Sequence, residues 1–272
     1  MKLSSCCPSK TLCRRALLMI PLLFMFSCSP TFNLQLKEGY NSPQNPHLRF
    51  EGDDDEGLIL YKGFVVKYDS VHKVPSFVIH RLSPQQLSDS AGIEAKRKNR
   101  FWVDEKRLAG ISATSKDYRK SGFDRGHHAP AGDFVFSQAA NDESFVYTNI
   151  SPQNPKLNRG ALSRIESGIR EKVRDCNCTA YIITGTYFEN LRTETIGEHG
   201  VGVPKYIYKL AFFPDKGRMY AFLLDNTKTE FNDDLFRYQR SVDAIELLTE
   251  EDFFDQIEEA QQNKLEEKVT TF

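Results

Sequence analysis

The sequence predicts an α+β fold, and three observations carry that prediction. Several segments of five to eleven residues are rich in β-branched and aromatic side chains. A single internal stretch has clear helical spacing. The two kinds of segment do not alternate regularly, which argues against a doubly wound parallel sheet.

The predicted strands come first. Residues 58–68 and 76–82 read as strands that can pair as a hairpin, followed by 145–149, 180–184, 206–213 and 219–224. Between them, Leu162, Ile165, Ile169 and Val173 recur at three or four residues and predict a helix over 159–173. Thr249 followed by Asp252 predicts the cap of a last helix that runs to about 268 and ends in a polar, frayed tail beyond 256. Upstream, residues 28–56 read as a tether, with Pro30, Pro43 and Pro46 and the acidic run 53–56. The folded domain is therefore expected over 57–256.

Residues 1–27 carry Lys2, Lys10, Arg14 and Arg15, no acid, and a short apolar run interrupted by Pro21. That is the pattern of an export signal. Cys28, directly after Ser27, resembles the lipobox of bacterial lipoproteins, although Met25 stands where that pattern usually has Leu. The expectation is export, to a bacterial cell envelope through a lipid on Cys28 or into the medium. The apolar run is too short to cross a membrane as a helix. Of the six cysteines, Cys176 and Cys178 remain for the folded part. A ring that small makes a poor staple, so they are expected to be structurally minor.

The 272 residues have a net charge of −1, and removing the signal takes it to −5, which argues mildly against a nucleic-acid partner. The distribution says otherwise. Residues 96–125 hold ten basic and four acidic residues, 156–174 six and two, and 225–272 five and fourteen. A basic centre beside an acidic flank suits a phosphate-binding face, although charge runs are more often simply solvated.

Chemistry concentrates in two places. Residues 121–130 place Asp124, Arg125, His127 and His128 between Gly122 and Pro130. Histidine is the side chain best placed to act as a base near neutral pH, and arginine offers a planar fork for phosphate. On a strand, Arg125 and His127 point one way and His128 the other. Further on, Asn158, Leu162, Glu166 and Arg170 are each four residues apart, which would align them along one helix stripe. Oxygen ligands of this kind suit Mg²⁺, which keeps several waters. Taken alone, a histidine pair can be a core residue beside a surface one, and such a stripe is usually a solvated face.

Together, Asp124-Arg-Gly-His127, Thr148-Asn-Ile-Ser-Pro-Gln153 and Leu157-Asn-Arg-Gly160 with Glu166 resemble the DNA/RNA non-specific endonuclease family, the endonuclease G-like ββα-metal (His-Me finger) nucleases. Arg100 before Phe101-Trp102, the segment 202–209, and 241–246 with Phe253-Phe254 extend the resemblance in order over about 58–256. The resemblance implies a central, mainly antiparallel sheet flanked by helices, and hydrolysis of DNA and RNA to 5′-phosphate and 3′-hydroxyl ends. It makes His127 the general base and Asn158 the direct ligand of Mg²⁺, with Mn²⁺ as the alternative ion. Glu166 would hold a metal-bound water, Asn149 would orient His127 or the metal waters, and Arg100, Arg125 and Arg170 would neutralise the phosphate. Asp124 is placed with the arginines at the substrate. Leu162 departs from the family, which often has Trp there. Two other readings stay open: a non-catalytic envelope protein of the same fold that binds nucleic acid or another polyanion, and a zinc hydrolase using His127, His128 and Glu166. The oligomeric state is left open, a dimer included.

Overall fold

The computed structural model describes residues 58–88, 95–108, 110–190 and 193–272. The leader, Cys28 and the tether lie outside the described residues. Seven strands form one sheet in the order β1 (Leu58–Leu60), β2 (Phe64–Asp69), β3 (Val74–Leu82), β6 (Ala180–Tyr187), β9 (Tyr206–Phe213), β10 (Arg218–Asp225) and β11 (Gln239–Arg240), every neighbouring pair antiparallel. Two small pairs stand apart from it, β4 (Asp124–His127) with β5 (Ile150–Gln153), and β7 (Thr195–Ile196) with β8 (Val201–Gly202). Three short helices, α1 (Glu105–Leu108), α2 (Ser115–Tyr118) and α3 (Gln138–Glu143), lie in the long connection around β4.

The central strands are buried on both faces, which is why they read as continuous apolar runs rather than alternating ones. Ile182, Ala211 and Phe213 face α4 (Ser163–Cys176) through Ile165, Ile169 and Val173. Their neighbours Ile183, Leu210 and Phe212 face α5 (Val242–Thr249) and α6 (Glu259–Glu266) through Val242, Ile245 and Leu265. The result is three layers, helix on sheet on helices.

Four sequence expectations need correction. Residues 145–149 form no strand: Tyr147–Asn149 is a 3₁₀ turn, and β5 starts only at Ile150. The helix after Pro155 opens as a π turn, Leu157–Leu162, before α4. Hydrogen bonds that close over five residues break the four-residue stripe. Leu162 accordingly turns into the core while Asn158 stays half-buried. The last helix is two helices. Thr249 ends α5 and donates its hydroxyl back to Ile245, Glu250 takes a left-handed conformation, and the buried Phe253 and Phe254 separate α5 from α6. Nor is the segment beyond 256 a loose tail, since Ile257 and Leu265 are core residues and the Phe272 ring meets Tyr220 and Phe222 edge-on. Cys176 and Cys178 are disulfide-bonded around left-handed Asn177, which brings their Cα atoms to 5.2 Å, a normal separation for a disulfide.

Candidate active site

The β4–β5 pair is the platform of the site. Its register sets Asp124 opposite Gln153, Gly126 opposite Ser151 and His127 opposite Ile150. Gly126 is required by a close approach: a Cβ there would stand 2.0 Å from the fully buried Gln153 side chain. Strand alternation then separates the two histidines, as expected. His128 is fully buried, with Nδ1 3.1 Å from the Thr184 carbonyl and Nε2 2.9 Å from the Ser151 hydroxyl. It locks the platform onto the central sheet. With both nitrogens engaged on the far face, His128 cannot share a zinc ion with His127.

His127 lies between two aromatic rings, Phe101 at 5.5 Å and Phe145 at 4.9 Å in a T-shaped contact. Each ring carries a guanidinium on its face: Arg125 is 4.2 Å from the Phe101 centroid and Arg97 5.3 Å from that of Phe145. The imidazole Nε2 is sealed from solvent without a hydrogen-bond partner among the described residues. Burial, reinforced by Arg97, His128 and Arg125, holds the His127 pKa down to about 3. His128 is likewise held near 3, by burial against the lesser effect of its bond to Thr184. Both rings are therefore neutral at pH 5–8.

These two shifts set a sign for pH dependence. The unfolded chain protonates its histidines at about pH 6.5 whereas the fold resists until about 3, so stability is fully present above 6.5 and is lost as pH falls through that window. The thermal midpoint is expected to drop steadily from pH 7 to pH 4, and a His128→Gln variant to show a shallower drop. A midpoint independent of pH over that range would contradict the assignment.

Arg100 is exposed, one residue before Phe101, and forms no ion pair or hydrogen bond among the described residues, so its charge is available to a ligand. Arg97 was missed as a site residue. Its only sequence signal was membership of the basic run, since its partner ring, Phe145, lies 48 positions away.

The remaining expected site residues divide differently from the sequence reading. Asn149 is fully buried, and its amide accepts from Ala129 N–H while donating to the carbonyls of Ala129 and Ser144. Both amide hydrogens are committed to the backbone, so Asn149 fixes the chain just after the histidines instead of reaching His127. Asp124 does not face outward toward a phosphate. Its carboxylate accepts two bonds from the Arg159 guanidinium, at 2.6 and 2.8 Å, and a third from the Asn158 amide nitrogen at 2.9 Å. That third bond orients the Asn158 amide, whose Oδ1 accepts no hydrogen bond among the described residues. The π turn places Asn158 there, and Gly160 lets the turn pack against the Phe231 backbone, because a Cβ would lie 2.8 Å from the Phe231 carbonyl oxygen.

Glu166 and Arg170 join a buried charge network. Arg170 donates to Asp133 at 2.7 Å, and the other Asp133 oxygen is 2.8 Å from His80 Nε2. Its guanidinium is thus held by a carboxylate and is not a free phosphate-binding cation. The Glu166 carboxylate lies 3.7 Å from Lys209 Nζ, which also donates to the Thr184 hydroxyl at 2.7 Å and the His128 carbonyl at 3.3 Å. Burial raises the Glu166 pKa and lowers that of Lys209, while each opposes the other's shift. Lys209, Asp133 and His80 were not foreseen as site residues. A lysine inside the apolar run 206–213 was the one available signal. The unengaged Asn158 amide oxygen, beside the Asp124 carboxylate, is a hard oxygen donor of the kind that suits a divalent cation.

The model of the family described as DNA/RNA non-specific endonuclease matches residues 41–260. The chain belongs to that family. Among family members, the mitochondrial endonuclease G of Caenorhabditis elegans is 30% identical over 199 residues, 68% of this chain and 64% of that protein. The mitochondrial nuclease EXOG of Danio rerio is 31% identical over 221 residues, 76% of this chain and 63% of that protein. Nuclease C1 of Cunninghamella echinulata is 28% identical over 72% of this chain and 82% of its own length. The match thus spans somewhat under two thirds of the two mitochondrial nucleases. A crystal structure of an EndoG/EndoGI complex, reported for the mechanism of EndoG inhibition, superposes on the chain with a TM-score of 0.71 at 26% identity, covering 79% of this chain and 91% of that one. The endonuclease family fold is the antiparallel sheet with flanking helices seen here.

Proposed function

We propose that the chain is a metal-dependent endonuclease that hydrolyses phosphodiester bonds of DNA and RNA, with His127 as its general base. The single observation that carries the reading is an imidazole set between two aromatic rings that each hold an arginine, Arg125 and Arg97. A base held beside fixed cations is what attack of water on a phosphodiester needs. His127 would take the water proton. Arg125, Arg97 and Arg100 would bind and neutralise the phosphate oxygens. A site that reads only the backbone gains no direct sequence information, which supports tolerance of both nucleic acids.

Asn158 would hold Mg²⁺ through Oδ1, and Glu166 would support its waters; bound there, the ion would stabilise negative charge at the phosphate and the leaving oxygen. Asp124 acts on this site through Asn158, and Asn149 through the backbone behind His127. Support also comes from the relatives, two mitochondrial nucleases and nuclease C1.

The test is a metal titration of plasmid cleavage after chelator treatment. Mg²⁺ is expected to restore cleavage to the native chain, whereas Asn158→Ala loses at least about a hundredfold in activity and no longer saturates in the same Mg²⁺ range. An unchanged titration curve in that variant would move the ligand elsewhere.

We also propose export with lipidation at Cys28, supported by the basic, acid-free leader and by Ser27-Cys28. Mass spectrometry of the mature N-terminus is expected to find a diacylglyceryl Cys28. An unmodified N-terminus beyond Cys28 would end the idea.

A further inference from the structure

Across the sheet from the β4–β5 platform, α5 and α6 meet at three carboxylates that no base neutralises among the described residues. Asp243 and Glu246 are three residues apart on α5 and share one face. Glu266 is the last residue of α6. One oxygen from each lies within 4.8 Å of the other two. None of the three forms an ion pair with Lys, Arg or His among the described residues. Like charges at such distances are costly unless something positive lies between them.

The second observation is the state of Glu266 itself. It is only 2% exposed, and although Gln262 reaches its carboxyl group, its Oε1 is sealed from solvent with no hydrogen-bond partner among the described residues. A buried carboxylate oxygen without a partner loses its hydration for nothing, and native structures seldom leave one so. We propose that Asp243, Glu246 and Glu266 form a binding site for a hard divalent cation of the Ca²⁺ class, which ties α6 to α5.

The dimensions fit. Ca²⁺ holds oxygens at about 2.3–2.6 Å, so two ligands of one ion lie at most about 5 Å apart. Glu246 is already oriented, since its Oε1 accepts the Phe253 N–H at 2.7 Å. Asp243 is exposed, which leaves the open side for waters to complete the shell. Asp252 adds negative charge nearby, and Gln262 holds it at 2.8 Å. Without a cation these carboxylates favour a proton instead, since burial raises the pKa of both Glu266 and Glu246. A proton on Glu266 is therefore the rival occupant, and the experiment separates the two.

The measurement is the thermal midpoint of the chelator-treated full chain, with and without saturating CaCl₂, in the Asn158→Ala background so that the nuclease site does not contribute. The midpoint is expected to rise by roughly 5–10 °C at Ca²⁺ about a hundredfold above its dissociation constant. Adding Glu266→Gln, which keeps the shape, is expected to abolish that rise while leaving the metal-free midpoint unchanged or higher. Absence of a rise in the Asn158→Ala chain would overturn the proposal in favour of the proton. A rise that survives Glu266→Gln would overturn it too, by placing the ion elsewhere. Should Glu266→Gln fail to fold, Asp243→Asn at the exposed corner gives the same two readings.

Discussion

His127→Ala is expected to lower phosphodiester cleavage by about 10²–10⁴-fold, the usual contribution of a positioned general base, while the protein stays folded and retains DNA. The variant removes the ring between Phe101 and Phe145 but none of the cations around it. Arg125 keeps its seat on Phe101 and Arg97 its seat on Phe145. Binding should therefore change little, and the loss should fall on kcat. The low pKa adds a second signature. Because the imidazole stays neutral down to about pH 3, the free enzyme's kcat/KM should show no acid limb near 6.5. A folded His127→Ala protein that cuts at the native rate would remove His127 from the chemistry.

Lys209→Met is expected to destabilise the fold by about 3–5 kcal/mol, the cost of leaving one member of a buried ion pair unpaired. Lys209 is 1% exposed, so solvent does not soften the loss. Without its ammonium, the Glu166 carboxylate shares a buried space with Asp133 and only Arg170 for relief. The Thr184 hydroxyl and the His128 carbonyl lose their partner as well. Since that carbonyl belongs to the residue after His127, cleavage should fall with stability. Glu166→Gln added to Lys209→Met is expected to recover about 1 kcal/mol or more, because residues in one network couple non-additively. Denaturant unfolding of the three variants checks this. A single-variant loss under about 1 kcal/mol would mean that the pair is solvated.

Much of this architecture was legible in the chain because it rests on local pattern. The segment 206–213 is a strand to the residue, and 219–224 is extended by one residue at each end. The opposed orientation of His127 and His128 follows from strand alternation alone. What stayed hidden depends on distant partners. The π turn at Leu157–Leu162 packs Gly160 under the Phe231 backbone, which no helical periodicity can reveal. Helical spacing offered Glu166 and Arg170 as exposed members of a stripe, but Lys209 and Asp133 claim them inside the fold. Asn149 carried a motif position, yet its amide serves the backbone of Ala129 and Ser144. Even the break between α5 and α6 is set by where Phe253 and Phe254 must be buried.

The most direct measurement is cleavage of supercoiled plasmid and of a single-stranded RNA by the purified native chain, each with Mg²⁺ and with EDTA. Both substrates are predicted to be cut in Mg²⁺, to products with 5′-phosphate and 3′-hydroxyl ends, and neither in EDTA. A folded protein that retains both nucleic acids and cuts neither with any divalent ion would contradict the account, and would make this fold a binding protein.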